Sequence, residues 1–431
     1  MNYFVILLKN FRGDFLKNNL YQNIIFLTLL LMPAAFAAGP AVMEVLIFFC
    51  CASFLLLVMT KQVSFSIQKE IKIFLFCYFG ILSLISFFSY NPTNSFLSSI
   101  STVRFFILIL ASIYLLKTFR PSLKYIYYLY LFIYLFTILD GYTQFFFGKD
   151  LFFISPVSET IISGFYGDEK KLGSFLTRLL PILIGISVHL YHREKNALIS
   201  LLIIVISFPL ILFTNERAAW LFLLITGVFT ILYFFKEITK NIKTYVVILL
   251  SILLTLLLIY NLNINKFKDR ITHTSEQITD NYRGFKFWSV QHQAFAMTSI
   301  EIFKDNKLFG TGVKSYRVMC KQFPEIKIKY NTNNCSTHPH NIFFQILAET
   351  GILGVSLYLV VLFIVINKLL GFFLKKNKHI NSVFFLLSFF FYFNPLFPSG
   401  NFFNNWYMCI GIFPLIFYFY ETENFIKKIK L

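Results

Sequence analysis

Apolar runs of about twenty residues recur along this chain, each long enough to cross the roughly 30 Å hydrocarbon core of a bilayer. They fall near 21–38, 41–59, 72–90, 100–116, 125–146, 175–190, 197–213, 218–235, 244–262, 342–366, 380–396 and 403–420. Lipid offers no water to a free backbone N–H or C=O, so each run must close its hydrogen bonds within itself, as a helix. The fold expected is therefore an all-α polytopic membrane protein of about twelve transmembrane helices. Composition agrees: charged residues make up 14% of the chain and hydrophobic ones 57%, where a soluble domain carries roughly a quarter charged.

The formal charge of +19 does not point to nucleic acid, because Lys and Arg sit in short clusters between apolar runs and form no basic stripe. Such clusters mark cytoplasmic loops. With the N-terminus inside, those loops hold Lys9, Arg12 and Lys17, then Lys61, Lys69 and Lys72, then Lys117, Arg120 and Lys124. Arg193 and Lys195, Lys236, Lys240 and Lys243, Lys368 through Lys378, and Lys427, Lys428 and Lys430 continue the series. The short opposite loops at 39–40, 91–99 and 397–402 carry none. Both termini are expected inside, and no cleavable signal peptide or lipidation motif is evident.

This orientation divides the chain into a membrane domain of nine helices (1–262), an outer loop (263–340) and a second membrane domain of three helices (341–431). Residues 147–174 also fall outside. Within the outer loop, 284–304 reads as an amphipathic helix and Asp305-Asn306-Lys307…Gly310-Thr311-Gly312 as a turn, giving a small cap of surface helices. A transporter with matched six-span halves would show an internal repeat, and the nine-to-three split shows none. Cys320 and Cys335 share the outer loop, where an oxidising compartment permits a disulfide. Cys50, Cys51, Cys77 and Cys409 sit in spans as small apolar residues.

Chemistry concentrates where the outer loop meets the tenth span, at Thr337-His338-Pro339-His340-Asn341. Pro339 keeps His338 extended, and Asn341 suits the N-cap of the following helix. Exposed helix-start N–H groups beside His338 and His340 favour an anion. Asn341, Gln345 and Glu349 recur every four residues as one polar stripe, either hydrogen-bond glue between helices or a functional face. An ionisable Glu349 is costly in lipid and favours the second. Gly351 and Gly354 would let another helix approach closely. No metal is expected, since Glu349 lies about 12 Å below His340 by helical rise. Arg104 reads as a snorkelling anchor in preference to a substrate contact. Glu44 and Asp140 fall near outer span ends, where they line a cavity or meet water. His189, His192 and His379 fall on the cytoplasmic side, and His273 and His292 read as solvated loop residues.

His340-Asn341, nine residues, then Gly351-Ile-Leu-Gly354 resembles the His-Asn-x9-Gly-x-x-Gly signature of the bacterial O-antigen ligase family. That family shares a superfamily with O-antigen polymerases and protein O-oligosaccharyltransferases. Arg217-Ala-Ala-Trp-Leu221 is similar to its Arg-x3-Leu element. Arg283 with Trp288 and Asp305…Gly310-Thr-Gly312 are similar to its Arg-to-Trp helix and Gly-x-Gly turn. Gly167-Asp168-Glu169…Gly173-Ser174-Phe175-Leu176 with Arg178 and Pro181 is also familiar.

The resemblance implies a membrane glycosyltransferase whose donor is a glycan on undecaprenyl pyrophosphate and whose acceptor is lipid A-core, finishing lipopolysaccharide at the periplasmic face of the inner membrane. Membrane lipids would be its surroundings, and no cofactor or nucleic acid is called for. His340 would be the base. Arg217, Arg283 and Arg178 would bind the pyrophosphate, since a guanidinium fork holds phosphate oxygens bidentately. His338, Asn341, Gln345 and Glu349 would support the site. Direct displacement would invert the anomeric centre. A polymerase joining one glycan repeat to another would use the same residues, and transfer to protein would call for an added pilin-binding module. A lipid-glycan transporter would instead need ionisable groups at mid-membrane.

Overall fold

The computed structural model describes residues 19–156, 161–240, 289–374, 380–423 and 426–430, with the single positions 246, 253 and 272. In chain order the helices are α1 (Leu20–Ala38), α2 (Pro40–Met59), α3 (Lys69–Phe87), α4 (Pro92–Ile100), α5 (Val103–Thr118) and α6 (Ser122–Phe147). They continue with α7 (Leu172–Leu190), α8 (Arg193–Phe213), α9 (Arg217–Tyr233), α10 (Phe235–Lys240), α11 (Val290–Asp305), α12 (Tyr316–Met319) and α13 (Pro324–Tyr330). The last are α14 (Ile342–Phe373), α15 (Val383–Phe393) and α16 (Asn405–Thr422). The strands among the described residues are β1 (Ser64–Ile67) and β2 (Ile426–Lys430), an antiparallel ribbon pairing Ser64 with Lys430.

Length and apolarity suffice for a membrane crossing in 8 of these segments: α1, α2, α3, the combined α4–α5 stretch Pro92–Thr118, α6, α7, α8 and α14. The shorter α9 and α15 are apolar but do not reach that length, and α15 ends early because the chain turns at Asn394 into an irregular loop. The expected ninth span, 244–262, lies outside the described residues.

The helices pack in sequence-adjacent pairs, α1 on α2 and α7 on α8, with α15 wedged between α7 and α16. Between α3, α5, α14, α15 and α16 lies an apolar cavity of about 660 Å³. It runs from Glu70 and Lys368 at one end to Thr102, Thr350 and Phe402 at the other.

α14 is broken within its length. Gly351 has φ 59° and ψ −159°, outside the helical region. The groups freed by the break are met by the turn after α11. Thr311 N–H donates to Ala348 O (3.1 Å) and Gly312 N–H to Glu349 O (2.8 Å), while Ile352 N–H donates to Lys307 O (2.9 Å) and Leu353 N–H to Leu308 O (3.4 Å). Irregular backbone at membrane depth is tolerated where protein buries it. A Cβ on Gly351 would lie 2.6 Å from Gly310 N, and one on Gly310 would lie 2.5 Å from Glu349 C. The close partner of Gly351 is therefore this turn rather than the second helix expected. At Gly354 the space a Cβ would need is taken by Thr350 of the same helix.

Candidate active site

The residues before α14 are held by the loop that follows α15. His338 Nε2 donates to Ser399 O (3.2 Å), which fixes the tautomer and leaves Nδ1 to accept from Thr337 Oγ1 (3.0 Å). Ser399 N–H donates to His340 O (2.8 Å). Asn341 caps α14 by accepting from Phe344 N–H (3.2 Å), and its Nδ2 donates to Pro395 O (2.8 Å). Between these ties His340 adopts φ 54°, a left-handed backbone that costs of order 1–3 kcal/mol in a residue other than glycine. The ties on either side hold it there.

The His340 ring stacks on Phe295 of α11 (centroids 5.2 Å) and lies 4.2 Å from the His338 ring. Its Nε2 is 3.3 Å from Ser336 Oγ. His292, also on α11, stands 5.8 Å from His340 and pairs through Nδ1 with Ser289 Oγ at 2.7 Å. His292 is therefore part of the histidine cluster, not a solvated loop residue. The amphipathic period gives a signal for this, because His292 lies three residues before buried Phe295 on one helix face.

Burial holds all three imidazoles below the ordinary value. His338 falls to about 4, with the neighbouring His340 as the next cause, and His292 also to about 4, through burial, His340 and then Arg217. Burial alone lowers His340. Each ring is neutral at pH 7, the state a proton acceptor needs.

Arg217 opens α9, close enough for its charge to bear on His292. Arg178 on α7 donates through Nη1 to Ser174 O (3.2 Å), and its guanidinium lies over the Phe222 and Tyr407 rings at 5.7 and 5.8 Å. Its Nε is buried with no hydrogen-bond partner among the described residues. Arg283, with Trp288, lies outside the described residues.

Glu216, the residue before Arg217, joins the start of α9 to the start of α7, and sequence reasoning missed it. Its carboxylate accepts from Gly173 N–H (2.7 Å), Ser174 N–H (3.0 Å) and the Ser174 hydroxyl. Burial pushes its pKa up to about 7, against these donors and the nearby Arg178. Residue 216 thus fixes the start of α7 against the start of α9. No spacing in the sequence links positions so far apart.

The polar stripe serves as hydrogen-bond support. Gln345 Nε2 donates to Glu349 Oε2 (3.2 Å) and Asn401 Oδ1 (2.8 Å), and its Oε1 accepts from Phe402 N–H (2.8 Å). Glu349, fully buried, accepts from Lys314 N–H (2.9 Å) and Tyr316 N–H (3.1 Å). Cys320 and Cys335 are joined as a disulfide, three residues before His338. Arg104 pairs with Glu44 (3.0 Å) rather than standing alone as an anchor. Asp140 holds the loop after α6 by accepting from Leu151 and Phe165 N–H. His189 pairs with Glu421 (3.0 Å).

Among the described residues no three His, Cys, Asp or Glu side chains are placed to hold a metal ion. The imidazoles lie ring against ring instead. A neutral histidine beside guanidinium groups can accept a proton while an anion departs. Residues 202–359 match the O-antigen ligase family. This segment spans Glu216, Arg217, the three clustered histidines and the break in α14, and the match agrees with the resemblance carried by the motifs. No curated protein matches the chain.

Proposed function

We propose that this O-antigen ligase-family chain transfers a glycan from undecaprenyl pyrophosphate to lipid A-core, at the periplasmic face of the inner membrane and with both termini in the cytoplasm. One observation carries the reading: His340 stands edge-on to His292 at 5.8 Å, and the charge of Arg217 bears on His292. In this reading the base and the anion-binding group act at one end of the bundle. An acceptor hydroxyl gives its proton to His340 as its oxygen forms a bond to the anomeric carbon. The bond from that carbon to the pyrophosphate oxygen breaks, and the leaving group departs with the electron pair. Arg217 and Arg178, with Arg283 as the third arginine of the scheme, stabilise the charge that develops. Preorganised charge of this kind is usually the largest single contribution to such a step. Attack opposite the leaving group inverts the centre. The apolar cavity of about 660 Å³ offers room for a lipid chain.

The test expresses wild type and His340→Ala in a ligase-null Gram-negative host and in a polymerase-null one. Wild type should restore polymeric sugar on lipid A-core in the first host, and the variant should not. Restored chain length in the second host alone would assign the protein to repeat-unit polymerisation. Full activity of His340→Ala in either host would remove the histidine from the chemistry.

A further inference from the structure

Lys314 sits in the turn that fills the break in α14. Its backbone has φ 64°, and its N–H donates to Glu349 Oε2 at 2.9 Å. The preceding Val313 N–H donates to Ser95 Oγ at 3.0 Å, and Thr311 O accepts from Tyr90 N–H at 3.0 Å. The turn is thereby wedged between the α3–α4 junction and α14, and the side chain is half-buried. Among the described residues its ammonium makes no hydrogen bond or ion pair. The carboxylates close enough to act on it are Glu349 and Glu44. Glu349 is already occupied by two backbone N–H groups and Gln345, and Glu44 by Arg104.

Arg317, three residues on in α12, is exposed and likewise has no partner among the described residues. Its charge bears on Lys314, on Glu349 and on His338. Arg317 therefore lies between Lys314, three residues before it, and His338 in its electrostatic reach. Burial, then Arg317, lowers the Lys314 pKa, the condition of a cation that an anion would relieve. A lysine that only snorkels to headgroups extends into the interface. Lys314 is half-buried on a strained backbone instead.

We infer that Lys314 and Arg317 form a second anion site that takes a phosphate group of the acceptor glycolipid. This site is separate from the one built by Arg217 and Arg178, and its assignment to the acceptor rests on the transferase reading above. A phosphate there would tether the acceptor beside His340 while its sugar hydroxyl reaches the imidazole. Charge-assisted hydrogen bonds of this kind are the strong ones.

The test titrates lipid A-core with its phosphates, and the same glycolipid after phosphatase treatment, onto the purified full chain in neutral detergent without donor. Wild type should bind the phosphorylated form roughly tenfold more tightly. Lys314→Gln and Arg317→Gln should each lose that preference, and Lys314→Arg should keep it. Arg317 is exposed, so its variant remains informative even where Lys314→Gln does not fold. Equal binding of the two forms by wild type, or a preference that survives in both Gln variants, overturns the site. Phosphatidylglycerol that competes as well as the phosphorylated glycolipid would assign the site to bulk phospholipid and overturn the acceptor assignment. A retained preference, with no transfer to either form once undecaprenyl-pyrophosphate-linked glycan is added in a second step, would instead remove the transferase reading and leave the anion site standing.

Discussion

Gly351→Ala tests the crossing between α14 and the turn after α11. With φ 59° and ψ −159°, the position lies in a region that is essentially glycine-only, at a cost of order 1–3 kcal/mol for any other residue. The added Cβ would also stand 2.6 Å from Gly310 N and 2.6 Å from Leu308 O, both backbone atoms that cannot rotate away. The strands of the crossing must then part, which threatens the bonds from Ile352 N–H to Lys307 O and from Leu353 N–H to Leu308 O. Each such bond is worth roughly 0.5–1.5 kcal/mol net. Strain and two lost bonds together come to about 2–6 kcal/mol. Gly227→Ala in α9 is the control, because its Cβ would meet nothing within 4 Å. A helical Gly→Ala change there should be neutral or gain up to about 1 kcal/mol. Unfolding of the purified full chain in detergent, followed by intrinsic fluorescence, gives the difference. A Gly351→Ala variant as stable as Gly227→Ala would refute the reasoning.

Other expectations concern the site. His340→Ala should lose about 10²–10⁴-fold in transfer rate, the usual contribution of a positioned base; His292→Ala should fall between it and wild type, and a wild-type rate would return His292 to a packing role. Because burial lowers the His340 pKa and the neutral ring is the base, kcat/KM should be full at neutral pH and decline only as pH drops through a value below the ordinary 6.5 or so. An acid limb above that value would contradict the assignment. Opening the Cys320–Cys335 link with reductant, or by Cys335→Ser, should destabilise the loop before His338 by about 3 kcal/mol, from the closure entropy of its 15-residue span. An unchanged melting temperature in reductant would refute that stabilisation.

Much of the membrane fold was legible in the apolar runs, because a helix in lipid is specified locally by length and polarity. The N-cap role of Asn341 and the turn at Gly310-Thr311-Gly312 were legible for the same reason, each depending on a few adjacent residues. What escaped the sequence depends on contacts across it. His292 reads as an ordinary surface histidine until α11 is laid against α14. Glu216 reads as a loop carboxylate until the start of α7 is placed over it. Gly351 follows a helix-packing motif by spacing, yet its neighbour is a turn some forty residues upstream.

The glycines and the histidines answer to one arrangement. His340 precedes α14, and His292 lies on α11, so their 5.8 Å separation is set by how those two helices are joined. Glu349 joins them twice, since its carbonyl accepts Gly312 N–H while its carboxylate accepts the N–H groups of Lys314 and Tyr316. The disulfide restrains the same loop from its other end, and Ser399 holds the His340 backbone from the α15–α16 loop. A break in a membrane helix is costly unless its open groups are met; here the segment that meets them continues from the helix carrying the second imidazole. Satisfying the backbone and placing the imidazoles are thus one structural requirement. It follows that α14 cannot be straightened without also displacing His292.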